Sequence, residues 1–189
     1  MTIAIVGGTG KLGQSLALKL ARSGKRIIIG SRNKQKAEKL ASSLSREIGR
    51  KLIFGKSNAE AVKESSIVIS TLPAISHIDI LSKLKPWLTD KILVTTTVSW
   101  PPSSTSIASA AEQLQQKLGK TFDVVAAFQT VSALTLRHTN KSTEDVLVFG
   151  NTTESVQQVC DLVEKTGLRS IIGGELVRTR AAEQITGLL

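Results

Sequence analysis

The chain has 189 residues, enough for one well-buried core and short for two, and 41% of them are apolar, as in a globular protein. No apolar run approaches the roughly 20 residues of a membrane-crossing helix, and the opening "TIAIVG" reads as a strand with none of the features of a signal peptide, so a cytoplasmic location is expected. The formal net charge is +10, but residues 1–60 hold 13 Lys and Arg against 3 Asp and Glu while the remainder holds 12 of each, so the whole surplus lies in the N-terminal third.

In chain order, "TIAIV" leads to a helix from about Lys11 to Ser23, stopped by Gly24, and "RIIIG" leads to a second from about Lys34 to Ile48. "KLIFG" and a short helix at about Ala59 to Glu64 follow, then the strand "SIVISTL" and a helix from Ile75 to Leu84. "KILVTTTV" is separated by "SWPPSSTS" from a helix at about Ile107 to Leu118, and "FDVVAAF" and "DVLVF" are two more strands. A helix at about Glu154 to Thr166, the short strand "RSIIG" and a terminal helix from about Leu176 complete the chain.

Apolar strands that alternate with amphipathic helices imply a doubly wound, mostly parallel α/β sheet of Rossmann type. No linker divides residues 1–189, so one domain is expected, with a short extension over about 151–189.

Gly8-Thr9-Gly10-Lys11-Leu12-Gly13 matches G-x-G-x-x-G between the first strand and the first helix. In this pattern one glycine makes a tight turn, one admits a pyrophosphate to the backbone and one lets helix and strand touch, while the helix N-terminus offers free amides to the phosphates. At the end of the second strand, where an acid would mark NAD, stand Ser31 and Arg32, with Lys34 and Lys36 just beyond. A hydroxyl, a guanidinium and an ammonium suit a 2′-phosphate, so NADP(H) is the expected ligand. The basic surplus around this motif points to that phosphate-bearing cofactor before a nucleic acid, although a solvated lysine-rich face is the simpler reading of the helix lysines.

The chemistry left to the chain is narrow. The sequence holds no tyrosine, which excludes the Tyr/Lys relay of short-chain dehydrogenases, and only His77 and His138 carry imidazoles. His77 is expected in a surface or capping role, His138 in a loop, and the lone Cys160 as a buried structural thiol on the apolar face of its helix. No metal-ligand cluster, GxSxG elbow or Walker lysine motif stands in the sequence. The crevice at the strand ends would be formed by Thr71, Leu72 and Pro73, by Thr96, Thr97 and Val98, and by Gln129, Thr130 and Val131, polar but scarcely ionisable. Such a site suits hydride exchange between two redox cofactors, which need alignment more than acid or base.

"MTIAIVGGTGKLGQSLALKLARSGKRIIIGSRNKQKAE", with weaker similarity in "NAEAVKESSIVISTLP", "VVAAFQTVSA" and "GLRSIIGGELVRTRAAE", resembles the F420-dependent NADP oxidoreductases, which pass hydride between the deazaflavin F420 and NADP. The resemblance implies that Thr9, Ser31, Arg32 and Lys36 hold the 2′-phosphate and that Gly8, Gly10, Lys11 and Leu12 form the pyrophosphate turn. It further places Leu72, Pro73 and Val98 at the ribose and nicotinamide, and Gln129 and Val131 as contacts of the acceptor, F420 or a related flavin, with no side chain acting as proton donor. It also implies a homodimer joined through the C-terminal helices. Gln129 stands where a histidine is common in the family, "SWPPSSTS" is shorter than the family's segment, and Leu189 falls where members continue. An NADP(H)-binding sensor or scaffold without F420 turnover is the alternative these departures leave open. A prephenate-dehydrogenase-like reductase would need a helical domain that the sequence lacks.

Overall fold

The computed structural model describes residues 1–99, 108–138 and 144–186. Its strands are β1 (Thr2–Val6), β2 (Arg26–Ser31), β3 (Ile53–Ser57), β4 (Ile67–Ser70), β5 (Ile92–Thr95), β6 (Asp123–Ala127), β7 (Asp145–Gly150) and β8 (Arg169–Gly174). Its helices are α1 (Lys11–Arg22), α2 (Lys34–Glu47), α3 (Asn58–Lys63), α4 (Ala74–Leu84), α5 (Ala110–Leu118), α6 (Ala133–His138), α7 (Thr153–Glu164) and α8 (Thr179–Thr186). One sheet runs in the order β3-β2-β1-β4-β5-β6-β7-β8. The first six strands are parallel, and β7 turns antiparallel against β6, with β8 parallel to β7.

The two-residue period of the strands divides the core. Ile3 and Ile5 of β1, with Ile27, Ile29, Ile67, Ile69, Val94 and Val125, face α1, α2 and α7. Ala4 and Val6, with Ile28, Val68, Leu93, Val124 and Ala126, face α3, α4 and α5 on the other side. Strands apolar at every position are therefore covered on both faces, and each fully buried Leu or Ile contributes about 1.5–3 kcal/mol. Cys160 of α7 lies in the first of these layers, 2% exposed, as its helical spacing predicts.

The sequence pattern misplaces some boundaries. The segment expected as loop around His138 is α6, whose Leu136 is fully buried and whose Arg137 shares Glu47 of α2 with Arg22 of α1 at 3.0 and 3.2 Å. Residues 139 and 140 of the "LRHTN" stretch, and Ile107 with most of "SWPPSSTS", lie outside the described residues. The terminal helix expected from Leu176 begins as a 3-10 turn, Leu176–Arg178, and becomes α8 only at Thr179. Short helices whose ends are capped from distant parts of the chain leave little periodic signal. His77, expected at the surface, is 2% exposed on the inner face of α4, one and two turns before Leu81 and Leu84, while Ile75 is 92% exposed.

Backbone contact replaces side-chain packing at Gly55 of β3. A Cβ there would lie 2.2 Å from the backbone of Ala37 and Glu38 in α2, which no rotamer change can relieve. Gly55→Ala is expected to cost about 3 kcal/mol in urea unfolding, the upper range for overpacking. A loss below about 1 kcal/mol would mean that α2 rides off β3 freely.

Candidate functional site

Strand order reverses between β1 and β4, and the crevice outside their carboxyl ends is where open α/β sheets bind ligands. Here it is a cleft of about 350 Å³, lined by Gly10, Lys11, Leu12 and Gly13 after β1, Thr71, Leu72, Pro73 and Ala74 after β4, and Thr96, Thr97 and Val98 after β5.

The glycines of the β1–α1 turn have separate physical reasons. Gly7, just before the six-residue motif, carries the left-handed conformation, φ +73, and so makes the tight turn. Gly8 donates its amide to the carbonyls of Ile5 and Gly30 at 3.2 and 3.1 Å, and a Cβ on it would stand 2.8 Å from the Ile5 oxygen. Gly13 brings α1 onto this turn, since its Cβ would fall 2.6 Å from the Gly8 Cα. Gly10 differs from all three. Its φ of −78 suits any residue and the nearest protein atom to a Cβ would be 3.7 Å away, so nothing in the protein's own packing requires a glycine there.

Gly10 is also the N-cap of α1, which has no side-chain cap and no acid in its first turn. The helix therefore presents its first amides and the positive end of its dipole to the cleft without a protein partner, which is what an anion needs. A pyrophosphate fits this edge on both counts, the open face at Gly10 and the uncapped amides.

At the end of β2, Ser31 is 7% exposed and its hydroxyl accepts from the amide of Asn33 at 3.1 Å, while Asn33 caps α2 by accepting from the amide of Lys36. Arg32 and Lys36 are exposed beside this turn. Lys34 is engaged elsewhere, 2.8 Å from Glu60. That bond, together with hydrogen bonds from the hydroxyl and amide of Ser57, pulls the Glu60 carboxyl down to about 2. Of the cations flanking Ser31, Arg32 and Lys36 are thus the pair with their charge directed to solvent, one strand away from the cleft proper.

The threonines of the crevice spend their hydroxyls on the sheet. Thr71 bonds the carbonyl of Val6, Thr96 that of Ser70 and Thr97 that of Leu72, at 3.2, 3.1 and 3.0 Å. These bonds continue the ladder past the strand ends and leave Lys11 as the one ionisable group of the lining among the described residues. His77, in the first turn of α4, has a buried Nδ1 with no hydrogen-bond partner among the described residues, and burial pushes its imidazole below the usual range. Among the described residues the site can bind and align but offers no strong acid or base.

Gln129 and Val131, expected beside an acceptor, follow β6 and are both 8% exposed, outside the lining of this cleft. Phe128 before them is a non-glycine residue at φ +64, a conformation that costs on the order of 1–3 kcal/mol and concentrates at functional sites. Both amide atoms of Gln129 are buried with no hydrogen-bond partner. Thr9, half-buried in the β1–α1 turn, holds Gln14 through its carbonyl at 3.0 Å. The sequence reading missed Gly7, whose place beside Gly8 in a Gly-Gly pair was the available signal, and Ala74, whose small side chain opens the start of α4.

Among the described residues no group of His, Cys, Asp and Glu could hold a metal ion, and no helix is long and apolar enough to cross a membrane. Known proteins resemble the whole chain. A protein from Methanocaldococcus jannaschii described as an F420-dependent NADP reductase is 39% identical, covering 100% of this chain and 91% of that one. Its counterpart from Methanothermobacter thermautotrophicus, with the same description, is 34% identical over 100% and 88%. A crystal structure from Arthrobacter sp. FB24, provisionally described as an F420-dependent NADP reductase, shares the fold with a TM-score of 0.81 at 24% identity, covering 100% and 91%. A pyrroline carboxylate reductase from Plasmodium falciparum, with NADP bound, shares it with a TM-score of 0.62 at 15% identity, covering 90% and 57%. The family model described as NADP oxidoreductase, coenzyme F420-dependent, matches residues 2–99, and with full-length relatives at this identity the chain belongs to that family.

Proposed function

We propose that this protein binds NADP(H) across the carboxyl ends of β1, β2 and β4 and transfers hydride between it and coenzyme F420. The observation that carries the reading is Gly10, a glycine with no conformational or packing reason of its own, at the uncapped N-terminus of α1. The nicotinamide supplies the hydride and the deazaflavin receives it, or the reverse. The chain binds the pyrophosphate through the amides of Lys11 and Leu12 at the start of α1, with Gly8 and Gly10 shaping the turn against it, and selects the 2′-phosphate with Thr9, Ser31, Arg32 and Lys36. Leu72, Pro73 and Val98 give the reacting end an apolar wall, while the inward-turned hydroxyls of Thr71, Thr96 and Thr97 keep proton donors out of it. Gln129 and Val131 contact the F420 side, where an unpartnered amide favours a polar ring edge over water-free protein.

The single NADP-binding domain acts as a homodimer in the cytoplasm, with residues of about 151–189 at the contact. The support for the dimer is a run of exposed apolar side chains at the open edge of the sheet and after it, Ile172, Val177 and Ile185, 60%, 43% and 52% exposed. Sedimentation of the purified chain is expected to give twice the chain mass, falling to one chain mass in Ile172→Asp. A wild-type monomer at micromolar concentration would refute this contact.

Two substitutions test the cofactor site. Gly10→Ala fits the protein and is expected to unfold within about 1 kcal/mol of the wild type, yet to bind NADPH at least tenfold more weakly because the methyl group stands where the phosphates approach. Gly13→Ala, by contrast, would strike the Gly8 backbone and lose stability first. Arg32→Ala removes a charge-assisted contact and is expected to weaken NADPH about 10–100-fold with NADH affinity unchanged, raising KM for NADPH and leaving kcat with F420. Equal losses for both nucleotides would show that Arg32 does not read the 2′-phosphate.

A further inference from the structure

The last described helix, α8, is tied to the cleft by an acid that the nucleotide site does not use. Glu183 is 7% exposed, and its carboxylate oxygens accept from backbone amides at two places far from it in sequence, Ser99 and the start of α5. Oε2 accepts from Ser99, next to the cleft residue Val98, at 3.2 Å, and Oε1 accepts from Ala110, the first residue of α5, at 2.9 Å. One buried side chain thus joins the cleft wall after β5 to the N-terminus of α5. The positive end of the α5 dipole is a favourable place for the carboxylate. Burial pushes the Glu183 carboxyl upward, and hydrogen bonds from the amides of Ser99, Ala110 and Ala111 and from the Ser99 hydroxyl oppose it.

Apart from a long contact of the Thr186 hydroxyl with the Gln129 carbonyl at 3.5 Å, the other contacts of α8 are made to α5 and its cap. Arg180 grips Glu112 with two bonds of 2.6 and 2.7 Å, and the hydroxyl of Thr179 lies 2.7 Å from that of Ser109, the N-cap of α5. These fix α8 to α5. Glu183 is the member of the set that reaches past α5 to the strand end.

We propose that Glu183 is a positioning residue for hydride transfer: by holding the amides of Ser99 and Ala110 together it sets the backbone of Val98, and through it the wall against which the nicotinamide end of the cofactor rests. The inference rests on the NADP(H) reading and adds to it a residue at the opposite end of the chain. It predicts a division of labour, in which phosphate binding at α1 and α2 is indifferent to Glu183 and the reacting end depends on it.

The test uses the full chain with Glu183→Gln, which keeps the shape and replaces one acceptor by an amide donor facing a backbone N–H. Arg180→Ala is the control, since it loosens α8 from α5 without touching Ser99. Four quantities are read: NADPH Kd, the fluorescence of the nicotinamide in bound NADPH, hydrogen exchange at the Ser99 and Ala110 amides, and kcat with F420. In Glu183→Gln, both amides are expected to exchange at least tenfold faster, NADPH Kd to stay within twofold, the bound fluorescence to fall toward that of free NADPH, and kcat to drop at least tenfold. Arg180→Ala is expected to lower thermal stability with Ser99 exchange, fluorescence and kcat unchanged. Freed Ser99 with unchanged fluorescence, or a Kd that rises in step with the loss of kcat, would overturn the proposal. Should Glu183→Gln fail to fold, Glu183→Asp, too short to reach both amides, is read in the same way. If the wild type turns over no F420, the acceptor reading fails by itself, and the exchange and fluorescence measurements still decide the role of Glu183.

Discussion

The contact of Gly13 with Gly8, backbone on backbone, is the constraint on which the rest of the site depends. The helix can start this close to the strand that feeds it only because Gly13 has no side chain, while the bare Cα of Gly8 lets the turn lie against Ile5 and Ile29. Because α1 starts there, its uncapped amides open onto the point where the sheet changes strand order, and the loops after β4 and β5 form the opposite wall. The left-handed Gly7 before the turn and the unfilled space at Gly10 within it complete the arrangement. Gly7, Gly8 and Gly13 are each required by the protein's own geometry for a different reason, and Gly10 by none of them.

The remainder of the cleft shows how a site can be polar in composition and yet chemically quiet. Thr71, Thr96 and Thr97 use their hydroxyls to bond carbonyls at the strand ends, so the chain extends its own ladder where it would otherwise leave orphaned groups. His77 is close in sequence but buried, and its burial disfavours the charged imidazole. What remains can hold two ring systems in register and add little chemistry of its own, which is all that a direct hydride transfer between cofactors requires.

The doubly wound sheet was legible because its strands are apolar runs buried on both faces and its longer helices carry an unbroken 3.6-residue pattern, as in α1 and α2. The NADP signal was legible because glycines and a basic strand end stand in local sequence. What escaped the pattern is held by partners far away. The short helix α6 depends on Leu136 in the core and on Arg137 sharing Glu47, and the reversal of β7 is a matter of pairing that no periodicity records. In α4, His77 was expected in a surface or capping role, whereas the face that carries His77, Leu81 and Leu84 is the one packed inward. Glu183 has no local signature at all, since its two partners are 84 and 73 residues distant.

The most direct test of the account is to follow NADPH absorbance with the purified chain in the presence and absence of F420, with NADPH binding measured on the same sample. The account predicts rapid F420-dependent oxidation of NADPH and little with NADH. Tight NADPH binding with no transfer to F420 would contradict it.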